Sequence, residues 1–296
     1  MNPLVSAIIP CYNHGRYLAA SIDSVLNQTY RPVEVIVVDD GSTDNTEEVA
    51  RTFGDRIKYI YQANAGPSVA RNNAIRHSTG ELIALLDADD TWRPSKLEVQ
   101  VPTFNNSDNV GLVVSAYMWF NAESGESGTL VPAIDGDVQH ELLRHCFVGA
   151  LTAVFPRYVF DEVGDFDPSL LAAQDWDMWL RIARKYDIVP LTDVVADYRS
   201  EAGSVSRNQR RMFDNRMRLL TSDRMIHRNC AECRAALRSS RRGAHVSLSS
   251  EYCERARKAA CTRNYITAIV LSMKAIRHDP NAVTRLAKRL LRTGRV

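Results

Sequence analysis

The sequence predicts an α/β fold whose strands carry ligand-binding side chains to one edge of a sheet. Three apolar runs, Leu4 to Ile9, Val33 to Asp40 and Leu82 to Asp90, are each followed by a turn and then by a helical stretch, and two of the three end abruptly in clustered carboxylates. Apolar runs without polar alternation suit strands buried on both faces, as in sheets covered by helices. In open sheets of that kind the ligand crevice lies outside the carboxyl ends of the strands, so acids far apart in sequence can meet there.

The first run leads into Pro10-Cys11-Tyr12-Asn13-His14-Gly15, and an amphipathic helix is expected from about Arg16 to Asn27. Pro10 restricts the backbone, and Tyr12 offers a flat face with a polar end that suits the edge of a nucleobase; packing is the competing role for an aromatic in such a turn. The second run ends in Asp39 and Asp40, followed by Gly41-Ser42-Thr43-Asp44 and a helix expected from about Asn45 to Phe53. Gly41 permits the turn, and Thr43 or Asp44 can cap the helix. Capping accounts for Asp44 but not for Asp39 and Asp40. The third run, L-I-A-L-L-D-A-D-D, sets Asp87 and Asp89 two positions apart. In extended chain alternate side chains point the same way, so both can offer oxygens to one hard cation such as Mg2+ or Mn2+. A solvated loop before a helix with Pro94 in its first turn is the alternative. Farther on, Gln174 to Arg184 reads as a helix with Trp176, Trp179, Leu180 and Ala183 on one apolar face. Asp175 at its start suits a cap as well as a reactive carboxylate.

Five segments in order, P-C-Y-N (10–13), V-D-D-G-S-T-D (38–44), N-A-G-P-S-V-A-R-N (64–72), L-D-A-D-D (86–90) and Q-D-W-D-M-W-L-R (174–181), resemble the family-2 inverting glycosyltransferases of the GT-A fold, over roughly Pro3 to Arg199. The resemblance implies a Rossmann-like mixed sheet with flanking helices in a GT-A domain spanning 1–204. It implies Asp175 as general base and a donor-nucleotide site of Pro10, Tyr12, Asn13, Asp39, Asp40, Arg71 and Asp87, with Asp40 on the nucleobase. Asp87 and Asp89 would hold Mn2+ or Mg2+ on the diphosphate, and Arg199 and Ser204, in the pattern Y-R-x-x-x-G-S-V-S, would reach that diphosphate. The family often carries Glu before the base, where this chain has Gln174. The implied donor is a nucleotide-sugar, UDP-linked by preference, and the implied acceptor is a saccharide or a lipid-linked saccharide in polysaccharide or glycoconjugate assembly.

A single inverting displacement needs no covalent enzyme intermediate, so Cys11 and Cys146 read as packed thiols. Water exclusion calls for a closing segment, with Glu123 to Gly128 and Tyr198 to Arg207 as candidates. The acceptor pocket is expected between Val113 and Ala173, with Gly149 to Thr152 lining it. The rival function is a non-catalytic nucleotide-sugar binding protein. Neither a Gly-rich dinucleotide loop nor a P-loop is present, which argues against those two enzyme classes.

The remaining residues, 205–296, read as a basic helical region. Of 37 Lys and Arg and 35 acids, 23 and 7 respectively lie from Arg199 onward, leaving that part at +16 and the part before it at −14. Helices are expected over Arg207–Arg228, Ala231–Arg241, Leu248–Cys261, Tyr265–His278 and Ala282–Arg292, and Ser250 to Pro280 resembles one tetratricopeptide-like unit. Two readings of the charge stay open. The helices lie on an anionic membrane surface, the last presenting Val283, Leu286, Leu290 and Leu291 among Arg285, Lys288, Arg289 and Arg292; or they are solvated or docked on the acidic part or a partner chain. No nucleic-acid module is visible, so none is expected as a partner. The gap between Cys230 and Cys233, with His227 and His245 near in sequence, is that of a zinc knuckle, with helix packing as the alternative. No apolar run is long enough to span a bilayer and no leader is visible, so the expected location is cytoplasmic, with the inner membrane face as the peripheral alternative.

Overall fold

The computed structural model describes residues 2–105, 107, 109–132, 137–200, 208–221, 230–282 and 284. The chain separates into two compact units, Met1–Ser204 and Val205–Val296.

The first unit is built on a nine-stranded mixed sheet: β1 (Val5–Cys11), β2 (Val33–Asp39), β3 (Lys58–Tyr61), β4 (Leu82–Leu85), β5 (Thr91–Trp92), β6 (Val110–Asn121), β7 (Ser127–Leu130), β8 (Val154–Pro156) and β9 (Asp187–Ser200). They run in the order β3-β2-β1-β4-β8-β6-β9-β5, with β7 paired to β6. The three apolar runs become β1, β2 and β4, all parallel, with Cys11 opposite Asp39 and Ile8 opposite Leu85. That register brings the carboxyl ends of β1, β2 and β4 to one edge. Beyond β4 the sheet turns mixed, because β8 is antiparallel to both β4 and β6, while β9 runs parallel to β6 and antiparallel to β5.

Helix α1 (Gly15–Leu26) buries Leu18, Ile22 and Val25, and α2 (Thr46–Arg51) follows β2. The latter stops short of the expected Phe53 because the chain turns into a 3-10 segment at Gly54, which adopts φ +54°. Asp44 serves both helices: Oδ1 accepts from the Thr46 N–H at 3.0 Å and Oδ2 from the Gly15 N–H at 2.9 Å. One carboxylate thus satisfies donors at two helix starts, where the dipoles also favour negative charge. Asp44→Ala is expected to lower stability by about 1–2 kcal/mol, the loss of a good cap, as read by denaturant unfolding.

Helix α3 (Pro67–Arg76) opens with proline at its first position after Gly66, whose φ is +93°. Ser68 Oγ donates to the Asp167 carbonyl, and the Asn72 side chain makes reciprocal bonds of 2.9 Å with the Phe166 backbone. These bonds fasten α3 to the segment that leads into a later helix. Between them come α4 (Lys96–Gln100), α5 (Val138–Arg144) and α6 (Arg157–Val163), and then α7 (Gln174–Ala183), whose Trp176, Trp179 and Leu180 are buried as their spacing predicts.

The second unit contains α8 (Gln209–Leu219), α9 (Ala231–Cys261) and α10 (Tyr265–His278). Where two helices are expected over 231–261, one continuous helix forms. Gly243 in its interior disfavours helix by roughly 1 kcal/mol, but Ala244, Leu248, Tyr252 and Ala256 lie buried along the helix, and tertiary packing overrides the local preference. Leu248, Tyr252 and Ala256 pack with Leu271 and Ala275 of α10, so the expected α-hairpin is present. The Cys230 thiol accepts from the Cys233 N–H at the start of α9, whereas His245 Nδ1 lies 3.1 Å from His278 Nδ1. Along one helix, Cys233 and His245 are about 18 Å apart, so Cys230, Cys233 and His245 do not form one knuckle; His227 lies outside the described residues, as does the expected helix Ala282–Arg292 apart from Ala282 and Thr284. Among the described residues no helix is long and apolar enough to cross a membrane.

Candidate active site

The site assembles around the first two turns of α3. Asp40, following β2, accepts from Gln62 Nε2 at 2.7 Å and from the Ala65 and Gly66 N–H groups at 2.8 Å each. The positive φ of Gly66 lets consecutive amides converge on one carboxylate, a nest-like arrangement that glycine accommodates without strain. A carboxylate has about four acceptor positions, more than these three donors fill. Its neighbour Asp39 is 1% exposed. Oδ1 of Asp39 accepts from the Ser42 N–H at 2.8 Å and Oδ2 from the Tyr59 hydroxyl at 2.7 Å. Asp39 therefore braces the turn and ties it to β3.

The loop after β1 is laced to the same turn. Asn13 adopts φ +55°, its N–H donates to Ser42 Oγ, and its Oδ1 accepts from the Thr43 N–H at 2.8 Å. The Asp40 N–H donates to the Cys11 carbonyl at 2.8 Å, which sets the adjacent Tyr12 beside the second strand's acids with its side chain 50% exposed. Pro10, the penultimate residue of β1, is partly buried. Cys11 is buried against Thr46, and burial pushes its thiol up to about 12. Such a thiol is inert at neutral pH.

After β4, which ends at Leu85, the acids lie in a turn and not in the extended chain expected: the Asp90 N–H donates to the Asp87 carbonyl at 3.1 Å across Ala88 and Asp89, and the turn leaves Asp87 and Asp89 partly exposed while Ala88 and Asp90 are buried. Arg71, 6% exposed on α3, donates to Asp87 Oδ1 at 2.7 Å. Its charge is opposed by burial and sustained by Asp87 and Asp175 together. Asp175 sits in the first turn of α7, and its Oδ1 accepts from the Trp176 N–H at 2.8 Å. Burial raises the Asp175 carboxyl above the usual carboxylate range, against the pull of Arg71. Ala173, which caps α7, adopts φ +61°, a left-handed conformation that costs a non-glycine residue about 1 kcal/mol or more. The strain falls two residues before the carboxylate that the helix presents.

Asp90 is buried; burial, then Asp89 and Asp87, raise its carboxyl well above the usual range, while Oδ1 accepts from the Arg199 N–H at 2.8 Å. Arg199 also donates from Nε to the Asp89 carbonyl at 3.3 Å, and its guanidinium lies 4.5 Å from the Tyr17 ring centre and 4.7 Å from that of Phe120. Arg199 is thus fastened to the acid loop; Ser204 lies outside the described residues. His14 Nδ1 approaches Asp89 Oδ2 at 3.9 Å. The partly exposed pair Asp87 and Asp89 is an all-oxygen donor set, which fits a hard cation.

Several residues of this cluster carry no signal in the sequence. Gln62, which holds Asp40 and also accepts from Asn73, lies in an unremarkable loop. Tyr117 on β6 lies 6.1 Å, ring to ring, from Tyr198, and burial first, then Tyr198, Cys146, Asp90 and Asp175, push its hydroxyl up to about 12. The one hint of it is Gly149, where a Cβ would come 2.7 Å from the Tyr117 ring. The three residues after Gly149 form a buried 3-10 turn: the Leu151 carbonyl accepts from Trp92 Nε1, and the Thr152 carbonyl from Lys96 and Gln100. They hold the core behind Tyr117. Asp177 is buried in an ion pair of 2.7 Å with Arg181, which also binds the carbonyls of Val163, Gly164 and Asp165; it anchors α7. Of the segment Glu123 to Gly128, Glu123 to Glu126 lie in the β6–β7 hairpin connection and Ser127 and Gly128 open β7; the Asn121 side chain accepts from the N–H groups of Glu123 and Ser124. In the other candidate closing segment, Tyr198 to Ser200 belong to β9 and the rest lies outside the described residues.

A parallel half-sheet with acids at its carboxyl edge, continued by a mixed half and flanked by helices, defines the GT-A class of nucleotide-diphospho-sugar transferase folds. The same architecture is found in a mannosyltransferase from Pyrobaculum calidifontis solved with GDP-mannose and Mn2+, at TM-score 0.62 and 19% identity over 96% of this chain and 88% of that one. The family model for glycosyl transferase family 2 matches residues 6–149. An Escherichia coli UDP-Glc:alpha-D-GlcNAc-diphosphoundecaprenol beta-1,3-glucosyltransferase is 34% identical over 210 residues, 70% of this chain and 81% of that protein. The chain belongs to glycosyl transferase family 2. An uncharacterized glycosyltransferase of Rickettsia typhi is 36% identical over 189 residues, 62% of this chain, and the match spans 59% of that relative's length.

Proposed function

We propose that this chain is an inverting hexosyltransferase that moves a sugar from a nucleoside-diphosphate sugar, UDP-linked, to an acceptor hydroxyl on a saccharide or lipid-linked saccharide. The assignment of a glycan-assembly role draws on the diphosphoundecaprenol acceptor and UDP-linked donor named for the Escherichia coli relative. The observation that carries the reading is the placement of Asp175: a carboxylate raised by burial yet steadied by Arg71, which simultaneously grips Asp87 of the acid loop. A general base needs a pKa nearer the working pH than an ordinary carboxylate has, and burial moves Asp175 in that direction while Arg71 limits the rise.

In this reading Tyr12 stacks on the nucleobase and Asp40, preset by Gln62 and the 65–66 amides, accepts its N–H. Pro10 and Asn13 shape that loop, Asp39 acts through the turn it braces, and Arg71 and Arg199 face the diphosphate side. Asp175 takes the acceptor hydroxyl proton as the new C–O bond forms at the anomeric carbon, and the bond to the diphosphate breaks on the opposite face. A divalent cation, Mn2+ or Mg2+, held by Asp87 and Asp89 would supply Lewis-acid stabilisation of the charge on the departing diphosphate. Residues 1–204 form the catalytic domain and 205–296 a separate basic helical region.

Asp89→Asn tests the donor side. It removes one of two anionic ligands from a partly exposed loop, so UDP-sugar affinity in the presence of Mn2+ should weaken by about 10- to 100-fold, while affinity measured in chelator changes little. Titration calorimetry across a panel of sugar nucleotides reads both values. Equal metal enhancement in wild type and variant would remove Asp89 from the site. A binding protein without activity would bind the donor and neither transfer nor hydrolyse it.

A further inference from the structure

Helix α10 has two apolar faces, and among the described residues only one is packed. Leu271 and Ala275 are buried on α9. At 100° per residue, Tyr265, Ile266, Ile269, Met273 and Ile276 fall within an arc of about 100° that points away from that contact. They are open to solvent, Ile266 at 80%, Met273 at 65%, Tyr265 at 62% and Ile269 at 61%. Of eleven large hydrophobic side chains exposed among the described residues, six are on this one helix, Val270 being the sixth. Single exposed apolar residues need no explanation, but a contiguous stripe does.

The charge on α10 and on the end of α9 that leads into it points to the occupant of the stripe. From Arg255 to His278 the chain has six cations, Arg255, Arg257, Lys258, Arg263, Lys274 and Arg277, and no acid. All six are exposed. Two are answered by α9 acids, Arg255 by Glu251 and Arg257 by Glu254. A second copy laid against the stripe would bring two cationic collars together, and a nucleic acid would leave the isoleucines in water. An anionic lipid surface satisfies both features, with apolar side chains at the acyl boundary and Lys and Arg among the phosphates.

We propose that α10 is a docking surface for an anionic bilayer, lying in the interface plane with Tyr265, Ile266, Ile269, Met273 and Ile276 inserted. The proposal uses no residue of the acid cluster and stands whether or not the chain transfers sugar. Its test uses the full chain and vesicles of phosphatidylcholine with and without about one-third phosphatidylglycerol. Wild type should sediment with the anionic vesicles and hardly with the neutral ones. Ile269→Asp with Met273→Asp should weaken that binding at least about ten-fold, and so should Lys258→Gln, Arg263→Gln, Lys274→Gln and Arg277→Gln combined. Val131→Asp, which alters an exposed apolar residue elsewhere, should change nothing. The charge variant leaves the apolar contacts intact, so it answers the question even if the double Asp variant misfolds. Equal partition to both vesicle types, full binding by the charge variant, or a wild-type dimer that the double variant splits without any vesicle binding would overturn the proposal.

Discussion

Asp175→Asn is expected to cut sugar transfer by about a thousand-fold while leaving donor affinity within a factor of about two. The amide keeps the size of the side chain but cannot take a proton, and it leaves in place Asp87 and Asp89, which would hold the donor end. The same change should leave the protein equally or more stable at neutral pH. The sign follows from the raised folded-state pKa: the fold favours the protonated carboxyl, an advantage present below the ordinary carboxylate pKa and lost as pH rises through the folded value. At neutral pH the wild type holds a partly desolvated charge that Asn avoids, and the difference in melting temperature should shrink on acidification. Transfer assays with donor-binding titrations, beside melting curves from acid to neutral pH, check both. Undiminished transfer by Asp175→Asn would end the base assignment.

Arg71→Met carries the second large effect. Arg71 is the leading influence lowering the Asp175 carboxyl against its burial, and it makes the 2.7 Å bond to Asp87. Removing the guanidinium leaves two carboxylates facing each other's field without the cation between them. The acid limb of kcat/KM should therefore move to higher pH, and transfer at neutral pH should fall by about 100-fold or more. Arg71→Lys should hold the limb near its wild-type position, since a point charge remains, yet lose donor affinity because the forked geometry is gone. Asp87 is 36% exposed in its side chain and can rehydrate, so the stability loss should stay near the lower end of that for a broken buried pair, about 3 kcal/mol. An unmoved acid limb in Arg71→Met would mean that Arg71 does not set the protonation of Asp175.

The parts of the fold readable in advance are those whose signal is local. The apolar runs of β1, β2 and β4 end in turns and acids, and the apolar face of α7 repeats at helical spacing, because burial imposes those periods on consecutive residues. The long paired strands β6 and β9 escaped notice because their register shifts at three places, which breaks any simple alternation. The break expected between Arg241 and Leu248, a stretch that contains Gly243, does not form, because contacts with residues 20 to 30 positions away hold α9 continuous.

Composition and order along the chain were enough to establish an α/β sheet with carboxylates along one edge and a basic helical region after it. Which job each carboxylate does was decided only on folding, since a carboxylate's behaviour depends on the donors and charges around it. Tyr59 and Ser42 turn Asp39 into a brace, Gln62 and the amides of Ala65 and Gly66 frame Asp40, and Arg71 couples Asp87 to a carboxylate 88 residues farther along, Asp175. Those neighbours come from other strands and helices, so no window of sequence contains them.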